Sequence, residues 1–85
     1  MNSYTQTARL WFDNGGEDLY TEITEAVREA RKQEEPLVYL SRWMRSLVAE
    51  GKPDLGSGFY ADLLSVAIED IDFRLIAEEW LSEDI

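Results

Sequence analysis

At 85 residues the chain has room for one domain, and a domain of this size buries only about 60% of the surface its unfolded chain exposes. It contains neither cysteine nor histidine, which excludes disulfides, thiolate zinc sites and the side chain most used as general base or metal ligand. Eighteen carboxylates against eight cations leave a formal charge of −10, a surface that repels phosphate backbones and argues against direct binding of DNA or RNA.

Residues 4–13 are ambiguous. Tyr4, Ala8, Trp11 and Phe12 share a helical face, yet Tyr4, Ala8, Leu10 and Phe12 also share strand parity. A short helix with Ser3 or Thr5 near its N-cap is the preferred reading. It stops at Asp13-Asn14-Gly15-Gly16, where Asn and Gly tolerate the backbone that ends helices. Trp11 and Phe12 are adjacent and cannot both face inward, so one of them is expected at the surface.

The second helix is predicted from an Asp18 cap to about Gln33, with Leu19, Tyr20, Ile23, Ala26, Val27 and Ala30 as its apolar stripe. Its charges follow the helix dipole, with Glu17, Asp18 and Glu22 at the start and Arg28, Arg31 and Lys32 at the end. Glu34-Glu35-Pro36 breaks it and opens a third helix with Pro36 in the first position. That helix carries Leu37, Leu40, Trp43, Met44, Leu47 and Val48 inward and ends at Gly51. Lys52 to Gly58 reads as a loop.

A fourth helix is expected from about Gly58 to Asp70 with Ser57 as its cap and Phe59, Tyr60, Leu63, Leu64, Ala67 and Ile68 as its inner face. Asp72 caps a fifth helix through Ser82, with Ile71 and Ile76 at the two positions of a hydrophobic staple. Phe73, Ile76, Ala77, Trp80 and Leu81 complete that face. The reading is all-α: one compact bundle of four or five short helices, with Trp43 and Trp80 in its core.

Apolar runs are short, as in Leu37-Val38-Tyr39-Leu40, so no membrane span is expected. Met1 to Gln6 lacks a basic start and an apolar stretch, so no secretory signal is read and a cytoplasmic location is expected.

No catalytic, cofactor or metal site emerges. The Gly51 to Gly58 loop places Lys52 after its first glycine and before Pro53, whereas a phosphate-binding loop needs the lysine after the last glycine at a helix start. Asp13 to Asp18 offers oxygens without the spacing of a calcium loop. The chain is therefore expected not to be an enzyme.

Charge is the informative feature. Residues 13–25 carry −5 with no cation, and residues 62–85 carry −7. Asp18, Glu22, Glu25 and Glu29 recur at helical spacing on the side away from the apolar stripe, about 4.5–6 Å apart along the axis. Such a row approximates the phosphate track of a nucleic-acid strand. Glu69, Asp70, Asp72, Glu78 and Glu79, with Glu83 and Asp84, are expected to extend it if the helices pack suitably.

Two stretches resemble a family of small bacteriophage, plasmid and bacterial proteins, a domain of unknown function. The opening is Thr5, Leu10-Trp11, Asn14 and Leu19-Tyr20; the closing part is Ala61-Asp62-Leu63-Leu64 followed by residues 71–83. Gln6 stands where that family usually has a Trp, and the gap between Asn14 and Leu19 is one residue longer. The resemblance implies a mobile-element setting and assigns no functional residue.

Together these features lead to two expectations. The first is an acidic nucleic-acid mimic that inhibits a basic, nucleic-acid-binding host defence protein, such as a CRISPR effector or a restriction enzyme. Its partner-binding residues would be Asp18, Glu22, Glu25, Glu29, Glu69, Asp70, Asp72, Glu78 and Glu79. The alternative is a small structural or regulatory adaptor that binds a partner, or a second copy of itself, through an apolar patch, its acidity serving solubility. An exposed Trp11 or Phe12 would favour the adaptor.

Overall fold

The computed structural model describes residues 2 to 84; Met1, part of the opening read for a secretory signal, lies outside them. The described residues form five helices, α1 (Ser3–Asp13), α2 (Gly16–Ala30), α3 (Pro36–Glu50), α4 (Phe59–Glu69) and α5 (Phe73–Leu81). The described residues contain no strand, so the helical reading of residues 4–13 holds.

Several expected caps are replaced by neighbours. Asn2, not Ser3 or Thr5, caps α1, its Oδ1 accepting from the Thr5 amide at 2.8 Å. The N-cap side chain reaches forward to the unpaired amides two and three residues on, and Ser3 and Thr5 already lie inside the helix. Asp18 does not cap α2. The helix begins two residues earlier, at Gly16, leaving Asp18 in the first turn beside Glu17. The early start depends on Gly16 at φ +90°, a backbone setting that side-chain-bearing residues rarely adopt. Likewise Gly58 rather than Ser57 precedes α4, at φ +123°. Asp72 caps α5 as expected, accepting from the Leu75 amide at 3.1 Å.

α2 ends at Ala30 rather than Gln33, and the bonds from Lys32 to Glu29 O and from Gln33 to Ala30 O close tight turns that lead the chain into Pro36. α3 packs chiefly on α5 and then on α2, with α1 laid against α2 and α5. The core is Ala8 and Phe12 of α1, Ile23, Ala26, Val27 and Ala30 of α2, Leu40 and Met44 of α3, and Phe73, Ile76, Ala77 and Trp80 of α5. Trp43 does not join Trp80 among the buried residues; it is half-buried at the edge of the core with Leu37, Leu47 and Val48. Tyr20, expected inward, is largely exposed and leans its ring on Trp80 at 6.1 Å between centroids.

α4 contributes no buried residue. Its expected inner face is overturned in part. Phe59 and Tyr60 are 72% and 73% exposed and Leu63 is also exposed, while Leu64, Ala67 and Ile68 are half-buried. The four other helices close the core among themselves, so only one side of α4 finds anything to cover. Two hydrogen bonds link α4 and its C-terminal cap to the rest: Lys52 Nζ donates to Ser65 Oγ at 3.3 Å, and Asn2 Nδ2 donates to the carbonyl of Asp70 at 2.7 Å.

Candidate functional site

The expected acidic residues fall into three separate groups. Asp18, Glu22, Glu25 and Glu29 are exposed along α2, opposite the buried Ile23, Ala26, Val27 and Ala30. Glu29 lies 3.7 Å from Lys32; Asp18, Glu22 and Glu25 have no ion-pair partner among the described residues. Glu69 and Asp70 are exposed at the end of α4.

Asp72 and Glu79 already have work inside the fold. The Asp72 carboxylate is turned back to the Leu75 amide. Glu79 Oε2 accepts from Arg9 Nε at 2.7 Å, tying α5 to α1. Glu78 is exposed one residue earlier. Asp72, at the cap of α5, and Glu79 are seven positions apart, or about 10 Å along the axis. Glu79 instead shares a cleft with Asp13, Glu83 and Asp84. Periodicity could not find the Arg9–Glu79 pair, because it joins residues 70 apart in sequence.

The apolar residues come together more closely. Behind α4, an open groove of about 600 Å³ runs between α1, the end of α3 and α4, lined by Ala8, Trp11, Leu47, Val48, Leu64 and Ile68 among others. Its only charged lining residue is Lys52. Trp11 and Phe12 have parted as expected: Phe12 is 2% exposed in the core, and Trp11 is 52% exposed at the groove, with the two rings edge to face at 5.2 Å.

On α4 itself Phe59, Tyr60, Leu63 and Val66 are exposed, as is Leu55 in the preceding loop. Phe59 and Tyr60 stack edge to face at 5.4 Å, which presents two aromatic rings as one surface. A helix that is apolar on both sides is ordinarily buried; α4 is not. Asp54, Asp62, Glu69 and Asp70 are interspersed along the same loop and helix, and all are exposed.

Among the described residues no three carboxylates converge where a metal ion could be held, and no helix is long and apolar enough to cross a membrane. Compared with protein families, characterised proteins and solved structures, the chain matches none.

Proposed function

We propose that this protein is a non-enzymatic binding module that docks on a partner protein through the apolar surface of α4 and the groove behind it. One observation carries the reading: α4 fully buries none of its residues, Phe59, Tyr60, Leu63 and Val66 stand exposed on it, and the apolar groove along its other side is edged by the exposed Trp11. Contiguous apolar surface with aromatic anchors is what protein interfaces place at their centres. The occupant that fits is an apolar, helical segment flanked by lysine or arginine, because carboxylates border the apolar side chains and the whole molecule carries −10. The apolar contact supplies affinity, and the charge raises the encounter rate.

Calorimetric titration with two helical peptides of identical apolar pattern, one flanked by lysines and one by glutamates, tests this. The basic peptide is expected to bind and the acidic one not. The double variant Phe59→Ser/Leu63→Ser is expected to weaken that binding by about tenfold or more, given the worth of interface anchors. Equal binding of both peptides, or of neither, would remove the reading. A mass that rises with concentration and falls in the double variant would assign the surface to a second copy of the chain.

A second reading rests on α2, where Asp18, Glu22 and Glu25 are exposed, in register and free of ion pairs. Here the row stands in for nucleic-acid phosphates in the groove of a basic host protein of the cytoplasm, such as a CRISPR effector or a restriction enzyme. The mobile-element setting implied by the sequence resemblance supports it. Inhibition of such a protein would weaken steeply with salt and be lost on reversing Glu22, Glu25 and Glu29 to lysine. Inhibition that survives the triple reversal with the fold intact would exclude the α2 row.

A further inference from the structure

In a chain with this excess of acid, three arginines gather around one small cavity. Arg42 and Arg45 are one turn apart on α3, Arg74 is in the first turn of α5, and all three line a recess of about 160 Å³ between the two helices. None has a carboxylate within salt-bridge distance among the described residues, although the chain holds eighteen. Like charges a helical turn apart repel, so the cluster concentrates positive charge around a recess whose one carboxylate is Asp72.

Arg45 is held in place: its guanidinium sits over the Phe73 ring, 5.2 Å from the centroid, and Phe73 is itself buried and lines the cavity. The carboxylate in the cavity, Asp72, is engaged at the Leu75 amide and pairs with none of the three arginines. In the same first turn of α5, the Arg74 amide donates to no backbone or side-chain acceptor among the described residues. The recess is thus lined by three arginines at the positive end of a helix dipole.

We propose that this recess binds a phosphoryl oxyanion, the terminal group of a phosphate ester or free phosphate. Guanidinium forks match the oxygens of such a group in pairs, which a single carboxylate or a chloride ion uses less completely. None of the three arginines lines the apolar groove beside α4, so failure of this proposal would leave the docking surface untouched.

The test is titration of the intact protein at constant ionic strength with inorganic phosphate, a nucleoside monophosphate and acetate, followed by calorimetry and by the arginine side-chain signals in NMR. Phosphate is expected to bind saturably and to shift the Arg42, Arg45 and Arg74 signals, with acetate weaker. Arg42→Gln/Arg45→Gln is expected to weaken binding by about tenfold or more, and Arg74→Gln, made separately, to weaken it as well. Lys52→Gln, in the loop after α3 and outside the recess lining, is expected to leave it unchanged. Tighter binding of the nucleoside monophosphate assigns the site to a phosphate ester, and equal binding to free phosphate. Absence of saturation, an equal response to acetate, or phosphate binding that survives the arginine substitutions would overturn the proposal.

Discussion

Thr5 shows how one buried hydroxyl can join distant parts of a small fold. It is fully buried, and its Oγ1 accepts the Asp72 amide at 2.8 Å, fixing the start of α5 against α1. Asn2 completes the junction through its bond to the Asp70 carbonyl. Thr5→Val keeps the shape and removes the acceptor, leaving the Asp72 amide without its partner, so a loss of about 1–3 kcal/mol is expected. Urea denaturation of the two proteins measures it, and an unchanged midpoint would show that the bond contributes nothing net. The Arg9–Glu79 pair is shorter at 2.7 Å, but both side chains are 38% exposed. Arg9→Ala is therefore expected to cost less than about 1 kcal/mol in the same measurement.

At the scale of elements, α4 and α5 read alike in sequence and behave differently in the structure. Both are short and rich in apolar residues, yet α5 buries Phe73, Ile76, Ala77 and Trp80 while α4 only half-buries Leu64, Ala67 and Ile68. Ile76→Ala is expected to cost about 2–5 kcal/mol through lost burial and a residual cavity. Phe59→Ser is expected to change stability by no more than about 0.5 kcal/mol, since the ring leaves little contact behind. Native-state hydrogen exchange gives a further check: amides of α4 should exchange through local opening, and those of α5 only through global unfolding. Equal protection in both helices would mean that α4 is an integral part of the core.

For the molecule as a whole, charge works against compactness. The particle measures 42 × 26 × 21 Å and carries −10, while only two ion pairs are formed among the described residues. At about 0.01 M salt the Debye length of about 30 Å lets carboxylates across most of the molecule repel one another, whereas at about 1 M it is about 3 Å. Thermal stability is therefore expected to rise with sodium chloride across that range, as self-repulsion is screened. A melting temperature that falls instead would mean that attractive pairs outweigh the repulsion.

A bundle of four or five helices, and nearly all the breaks between them, were legible in the chain itself. Pro36, Gly51, the Asn14-Gly15-Gly16 run and Asp72 act on the backbone within a few residues, and the apolar stripes of α2, α3 and α5 repeat at a period that only a helix satisfies. The acidic row on α2 was legible for the same reason, since spacing within one helix settles which residues share a side. Packing alone decided that Phe12 turns in and Trp11 out, that Glu79 meets Arg9, that Arg42, Arg45 and Arg74 share a recess, and that α4 is left outside the core. These outcomes depend on helices competing for a core too small to cover every apolar face, and periodicity records only that a face is apolar, not whether another helix reaches it.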